Sequence, residues 1–270
     1  MRGAHCGPRA ISGGQNARSN RAAVGLTAFL ATLTAIVGGT ARAIETTLPP
    51  DDPEVTRWEA EVAALETLDA EEDDPAEAIL FIGSSSIRLW DSIAADMDPW
   101  PVIRRGYGGA RYRDLCHYAG RLVVSHEPRG IVVFVANDIT SPTDSPAVER
   151  VMDDVRATHA AIRERHPDVP VWYIAVTPTE SRWPAWSQIE RLNAALAELA
   201  AREPDTFFIA TAERFLDPAT GRPEPSLFRD DRLHLSAAGY EIWSELIQAA
   251  LAARLGEPAS AAEPVASAAD

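Results

Sequence analysis

The residues whose types and spacing most clearly suit catalysis are one serine and a later Asp-x-x-His. Ser85 lies in the Gly-Ser-Ser-Ser turn at residues 83–86, directly after an apolar run, and Asp231 precedes His234 by three residues. A serine hydroxyl is a weak nucleophile that needs a neighbouring base, and an imidazole oriented by a carboxylate supplies one. Taken alone, the serine turn can also be a flexible connection, and Asp231 and His234 a surface pair before a helix. The combination indicates nucleophilic catalysis if the fold brings both segments together.

The elements that would position these residues alternate along the chain from residue 78 onward. Short apolar runs predict five β-strands, at residues 79–82, 101–104, 130–135, 171–176 and 207–209. Segments with helical spacing predict helices near residues 112–124, 147–165, 189–202 and 237–255. Four of the strands are almost wholly apolar, as strands buried on both faces are. The alternation predicts an α/β fold: a single three-layer α/β/α domain around a five-stranded parallel sheet.

The candidate functional groups all follow predicted strands. In chain order they are Ser85, the glycine cluster at residues 106–109, Asn137-Asp138, Arg182-Trp183, and Asp231 with His234. In a parallel α/β sheet, functional groups gather at the carboxyl ends of the strands. Each cluster alone has an ordinary explanation, since glycines and Asn-Asp pairs are common in tight turns. Their common position after the strands predicts that they meet at one edge of the sheet.

These motifs resemble those of the SGNH, or GDSL-type, hydrolases. The family's blocks contribute Ser, Gly, Asn and His in that order, and they map onto Ser85, Gly109, Asn137 and His234, with Asp231 in the last block. The resemblance implies a flavodoxin-like architecture, a Ser85 nucleophile, a His234 base and an orienting Asp231 carboxylate. It also implies an oxyanion hole formed by the backbone N–H groups of Ser85 and Gly109 and the side-chain amide of Asn137.

The resemblance covers residues 78–255 and departs from the family pattern at two positions. The acidic residue common before the nucleophile is Ser84 here, and the glycine usual two residues before the asparagine is Val135. The first departure leaves three consecutive serines as candidates for the nucleophile. The second alters the floor of the expected pocket without removing the Asn137 amide.

Four further residues are candidates for a substrate pocket: Tyr107, Arg111, Arg182 and Trp183. Arg182 could contact an acyl or carboxylate group of the substrate. It could equally pair with a surface acid while Trp183 packs against the last helices. We favour the packing interpretation, because aromatic side chains bury large areas.

The composition excludes several function classes. The chain has 270 residues, a formal net charge of −15 and no lysine. An acidic surface repels phosphate backbones, so we expect no nucleic-acid partner. Schiff-base, Ser-Lys and P-loop chemistries each need a lysine amine and are excluded. No histidines have the H-E-x-x-H spacing, and we predict neither a metal nor a cofactor.

The N-terminal segment is typical of an export signal. It begins with arginines and no acids, continues in a mildly apolar run, and ends in the small-x-small pattern Ala41-Arg42-Ala43. We predict a signal peptide at residues 1–43, cleavage before Ile44, and a periplasmic or secreted protein. An uncleaved membrane anchor is the alternative. The apolar run is short for a span and diluted by Gly and Thr, so we expect no stable membrane insertion after cleavage.

The rest of the chain is predicted to form one hydrolase domain at residues 52–256. An amphipathic helix at residues 53–68, begun by the Asp52-Pro53 pair, is expected to pack on its outside. Residues 257–270 consist of Ala, Pro, Ser, Val and acids. They cannot bury enough apolar surface to become ordered, so we predict a disordered tail.

Together these features predict an exported serine esterase that hydrolyses carboxylic esters through an acyl-enzyme on Ser85. The family resemblance implies lipids, acetylated sugars or small acyl esters as substrate classes. The lack of a long apolar insertion favours short acyl groups, and a carbohydrate O-acetyl ester is our first expectation. One alternative is a thioesterase or lysophospholipase with the same catalytic residues. The other is a non-catalytic periplasmic binding module of the same fold.

Overall fold

The computed structural model describes Pro49 and residues 51–256. The predicted signal peptide at residues 1–43 and the predicted tail at residues 257–270 lie outside the described residues. In the part that is described, no helix is both long and apolar enough to cross a membrane.

The centre of the molecule is a sheet of five parallel strands, which confirms the predicted α/β fold. The strands are β1 Ile79–Gly83, β2 Val102–Gly106, β3 Gly130–Phe134, β4 Val171–Ile174 and β5 Thr206–Ile209. Their order in the sheet is β2-β1-β3-β4-β5, the doubly wound flavodoxin-like order. Gly83, the last residue of β1, pairs with Gly106 on one side and Phe134 on the other. The carboxyl ends of β1, β2 and β3 therefore lie at the same level in the sheet.

Helices cover both faces of this sheet. They are α1 Pro53–Thr56, α2 Glu59–Glu71, α3 Ser85–Arg88, α4 Ile93–Asp96, α5 Tyr112–Val123, α6 Val148–Arg165, α7 Trp186–Arg202 and α8 Ala237–Leu255. Successive side chains of a strand point to opposite faces. Accordingly, Leu80 and Ile82 pack into a core with α5, α6 and α7, while Ile79 and Phe81 pack into a second core with α8.

The predicted helix at residues 53–68 is wrong in one respect, because it is interrupted. Asp52 caps the first segment by accepting a hydrogen bond from the Glu54 N–H at 2.8 Å. At Trp58 the backbone N–H donates to the Val55 carbonyl at 3.1 Å, a tighter turn than an α-helix makes. The indole ring of Trp58 then lies 5.6 Å from the ring of Tyr107. The apolar spacing continues through this turn and therefore does not reveal it.

Candidate active site

The turn after β1 presents Ser85 because its first residue is a glycine. Gly83 has a φ of +138°, which favours glycine, and a β-carbon there would lie 2.0 Å from the Phe134 carbonyl oxygen. The next residue is anchored to the sheet, since the Ser84 N–H donates to that same carbonyl at 2.9 Å. Helix α3 then begins at Ser85. The N–H groups in the first turn of a helix have no partner within the helix, and no acceptor for the Ser85 N–H lies among the described residues. This N–H can therefore donate to an anion.

Ser85, His234 and Asp231 form one connected set. The Ser85 hydroxyl oxygen lies 2.9 Å from Nε2 of His234. On the other side of the ring, Nδ1 of His234 lies 2.6 Å from Oδ2 of Asp231. Since a carboxylate only accepts, Nδ1 carries the proton and Nε2 is left to accept from the hydroxyl. The imidazole is thereby held in the tautomer that a general base needs.

Of the three consecutive serines, it is Ser85 that faces the imidazole. Ser84 is buried, with only 1% of its surface exposed. Ser86 is also buried, and its carbonyl accepts a hydrogen bond from the Tyr240 hydroxyl at 2.8 Å. This geometry supports the mapping of the nucleophile onto Ser85.

The loop that carries Asp231 and His234 is stabilised by hydrogen bonds between its backbone and the Asp231 side chain. Oδ1 of Asp231 accepts from the N–H groups of Leu233 and His234, both at 2.9 Å. Arg232, which follows Asp231, has a φ of +57°. Partial burial favours the neutral acid and opposes ionisation. The hydrogen bonds from the His234 ring and from the two backbone N–H groups outweigh it and lower the pKa of Asp231 to about 2. The carboxylate is thus ionised throughout the neutral range.

Asn137 and Arg182 lie together beside this set. Both residues line the cleft that contains Ser85 and His234. The Asn137 side-chain nitrogen donates to the Ala110 carbonyl at 2.8 Å, while its oxygen accepts from Arg182 at 2.5 Å. Arg182 also donates to the Ala136 carbonyl at 2.7 Å. Burial lowers the pKa of Arg182 to about 10, so the guanidinium stays charged at neutral pH.

The glycine loop after β2 contacts α2 and the turn that precedes it. The Gly108 N–H donates to a carboxylate oxygen of Glu61 at 2.9 Å, and a β-carbon on Gly109 would lie 3.4 Å from the Trp58 ring. Gly109 is half-buried and does not line the cleft in this structure. Its role as an oxyanion donor therefore stays a prediction.

Three of the four candidate pocket residues do not line the cleft, which corrects that expectation. Tyr107 is 1% exposed, and its hydroxyl donates to the buried Asp114 carboxylate at 2.5 Å. Arg111 turns toward α1, where its guanidinium lies 3.6 Å from Glu54. Trp183 stacks on Trp186 of α7, with ring centroids 5.9 Å apart. Each side chain satisfies a packing or charge requirement elsewhere, and this local competition is invisible in the spacing of the sequence.

Two threonines that no sequence motif indicated also line the cleft. Thr177 and Thr179 follow β4 and are each 4% exposed. The Thr177 hydroxyl has no hydrogen-bond partner among the described residues. Their position after a strand, at the same edge as the other groups, was the available signal. Within the described part of the chain, no cluster of three or more His, Cys, Asp or Glu is placed to hold a metal.

The cleft is very small. It has about 10 Å³ of space for the centre of a water molecule, which is near the minimum needed to hold one water. Its walls combine the hydroxyls and amide already described with apolar groups from Phe134, Leu233 and Leu235. At such a cleft, a nucleophile activated by a base can attack a carbonyl carbon that carries a small substituent, while nearby N–H donors stabilise the charge on its oxygen.

The family comparison matches the part of the chain that contains this site. The model of the GDSL-like lipase/acylhydrolase family matches residues 82–242, more than half of the chain. Among curated protein sequences, none matches significantly.

Solved structures provide a second comparison. A GDSL-like lipase from Bacteroides thetaiotaomicron is 19% identical, with a TM-score of 0.59 over 73% of this chain and 99% of that one. A lipase/acylhydrolase from Enterococcus faecalis is 20% identical, with a TM-score of 0.51 over 67% and 100%. A variant of an acetyl-xylooligosaccharide esterase from Geobacillus is 16% identical, with a TM-score of 0.53 over 69% and 99%. These likenesses establish the fold. The family match shows that this chain belongs to the GDSL-like lipase/acylhydrolase family of ester-hydrolysing enzymes.

Proposed function

We propose that this protein is an exported serine esterase that removes short acyl groups, with carbohydrate O-acetyl esters as its first candidate substrates. The observation that carries the catalytic part is the continuous contact from Ser85 through His234 to Asp231, at 2.9 and 2.6 Å. A hydroxyl, an imidazole and a carboxylate in this arrangement perform acyl transfer on several unrelated folds.

The reaction proceeds in two stages. Nε2 of His234 takes the Ser85 proton as the oxygen attacks the carbonyl carbon, and the ionised Asp231 stabilises the imidazolium. The imidazolium then protonates the leaving alcohol, which leaves the acyl group on Ser85. Water, deprotonated by the same imidazole, then attacks the acyl carbon, and the imidazolium returns the proton to the Ser85 oxygen as the acid leaves. The backbone N–H groups of Ser85 and Gly109 and the Asn137 amide are the proposed donors to the oxyanion.

The size of the cleft supports a short acyl group. The enclosed part of the cleft beside Ser85 is narrow, and each further methylene of an acyl chain would need additional volume there. The polar groups at Asn137, Thr177, Thr179 and Arg182 also make this wall a poor surface for an alkyl chain. The carbohydrate part of the proposal rests on a structural neighbour, the Geobacillus acetyl-xylooligosaccharide esterase.

A panel of substrates tests the proposal. We expect the mature protein to hydrolyse acetyl esters and acetylated xylo-oligosaccharides, with kcat/KM falling steeply as the acyl chain lengthens from two to twelve carbons. Ser85→Ala is the control and should abolish the activity. Faster turnover of long-chain lysophospholipids or of thioesters would contradict the short-acyl ester assignment. No Ser85-dependent turnover of any ester would instead indicate a binding module.

The export part of the proposal rests on the sequence of residues 1–43. An arginine-bearing start, an apolar run and the Ala41-Arg42-Ala43 pattern support cleavage before Ile44. N-terminal sequencing of protein recovered from the periplasm or the medium of an expressing bacterium should read Ile-Glu-Thr-Thr. A different first residue would contradict the cleavage site, and retention of the full chain in the membrane would contradict export.

A further inference from the structure

Arg182 is a buried charge whose contacts are not those of an ion pair. Only 9% of its surface is exposed. Among the described residues it has no carboxylate within ion-pair distance, and its guanidinium instead donates to the Ala136 carbonyl at 2.7 Å and to Oδ1 of Asn137 at 2.5 Å. A buried charge is costly unless its hydrogen bonds compensate. Both groups that provide this compensation lie at the carboxyl end of β3, next to the proposed oxyanion site.

The contact with Oδ1 decides which way the Asn137 amide faces. An amide can be turned through 180°, which exchanges its accepting oxygen and its donating nitrogen. Arg182 only donates, so the oxygen must face it. The nitrogen then faces the Ala110 carbonyl, to which it donates at 2.8 Å. An NH₂ group has two hydrogens, and the second remains available to the cleft that Asn137 lines.

We propose that Arg182 is a positioning residue that holds the Asn137 amide in its donating orientation toward the oxyanion. This inference rests on the proposed function of the site. Without Arg182, the Ala110 carbonyl alone opposes the flip, so the flipped amide becomes more populated, and it would present an oxygen lone pair to the developing negative charge. A charged donor on Oδ1 also polarises the amide and strengthens the N–H that faces the oxyanion.

A double-mutant cycle tests the proposal. The variants are Arg182→Met, Asn137→Ala and the double substitution, each assayed for kcat and KM on one acetyl ester. Removing an oxyanion donor lowers kcat by about 10²–10³-fold. We expect Asn137→Ala to lose about this much, and Arg182→Met to lose about 10–100-fold, with KM nearly unchanged in both. In the Asn137→Ala background, Arg182→Met should cost less than about threefold, because it acts through the amide that is already gone.

A matched arginine controls for stability. Arg163 also donates to backbone carbonyls, those of Val169 and Asp205, at the amino ends of β4 and β5 and therefore at the opposite end of the sheet. Arg163→Met should lower the melting temperature and leave kcat unchanged. A loss of kcat in Arg163→Met equal to that in Arg182→Met would overturn the proposal. Fully multiplicative losses in the cycle, or a loss expressed mainly in KM, would also overturn it.

A readout without turnover separates this proposal from the proposed function. The Asn137 side-chain NH₂ signals in an NMR spectrum of ¹⁵N-labelled protein are identified by their loss in Asn137→Ala. We expect Arg182→Met to shift or broaden them and Arg163→Met to leave them in place. Unchanged signals in Arg182→Met would overturn the positioning role. Activity that persists in Ser85→Ala would reject the proposed function, whatever the amide signals show.

Discussion

At the scale of single residues, the Asp231 carboxylate serves two structural purposes with two oxygens. Oδ2 binds the His234 ring, while Oδ1 binds the backbone N–H groups of Leu233 and His234. The contact of Oδ2 selects the tautomer of the His234 ring, and the contacts of Oδ1 fix the loop that carries this ring. The low pKa of Asp231, about 2, follows from these bonds, which outweigh the effect of partial burial.

Asp231→Asn should therefore impair catalysis more than folding. The asparagine can present its NH₂ to Nδ1, which forces the proton onto Nε2 and removes the acceptor for the Ser85 hydroxyl. We expect kcat on an acetyl ester to fall by about 10²–10⁴-fold, measured near neutral pH. Asp230→Asn changes the neighbouring exposed carboxyl and should stay within about twofold of wild type. Equal activities of the two variants would contradict the role of Asp231.

Residue types and spacing identified the segments that the fold brings together, but they misplaced side chains whose positions depend on packing. Ser85, Asp231 and His234 were identifiable because their two segments, distant in sequence, each follow a predicted strand. Tyr107 was misassigned, since its aromatic ring and hydroxyl fit a core position beside Asp114 better than a cleft. The buried hydroxyl of Thr177 was overlooked because a threonine after a strand has no distinctive spacing.

At the scale of elements, the junction of β1 and α3 is the part of the fold that the site most needs. Gly83 ends the strand in a backbone conformation with φ of +138°, and the Phe134 carbonyl occupies the place of a β-carbon. That carbonyl also binds the Ser84 N–H. The position of Ser85 at the start of α3 thus depends on one residue having no side chain.

Gly83→Ala should disrupt the fold around the nucleophile. A β-carbon 2.0 Å from a backbone oxygen requires β1 and β3 to separate, and φ is unfavourable as well. We expect a destabilisation of at least several kcal/mol or failure to recover folded protein, followed by urea denaturation. Gly120→Ala, in the last turn of α5 with open space around it, should be neutral or stabilising by up to about 1 kcal/mol. Similar stabilities of the two variants would contradict this explanation.

Most elements were predictable because their hydrophobic pattern is strong. The ends of the observed strands lie within about two residues of the predicted ones, and the apolar runs of β1, β3 and β4 are wholly buried strands. The helix predicted at residues 53–68 was wrong at its middle, where the turn at Trp58 follows from contacts with the glycine loop. That loop is distant in sequence, so a local pattern contains no information about it.

At the scale of the whole molecule, the parallel sheet brings buried acids close to the site as well as the catalytic groups. Asp138 follows Asn137 and accepts hydrogen bonds from the Tyr112 N–H with both oxygens, at 3.1 Å each. Burial raises the pKa of Asp138 to about 7, although the Tyr112 N–H opposes the shift. An acid with a raised pKa in the folded state links folding to pH.

The sign of this linkage predicts greater stability in mild acid. Between about pH 4 and 7 the folded protein retains the Asp138 proton that the unfolded chain releases, so this group's contribution falls as pH rises through that window. The change is up to about 4 kcal/mol. Asp138→Asn should remove it, and the difference in unfolding free energy between wild type and variant should depend on pH. Urea denaturation from pH 4.5 to 7.5 measures this, with Asp230→Asn as control. A difference that is constant with pH would contradict the linkage.

The most direct test of the account is where an organophosphonate attaches. Wild-type protein treated with a fluorophosphonate should gain one adduct by intact mass, and peptide mapping should place it on Ser85. Ser84→Ala and Ser86→Ala should still be labelled there, and Ser85→Ala should not be labelled at all. An adduct on either neighbouring serine, or labelling that survives in Ser85→Ala, would contradict the assignment of Ser85 as the nucleophile.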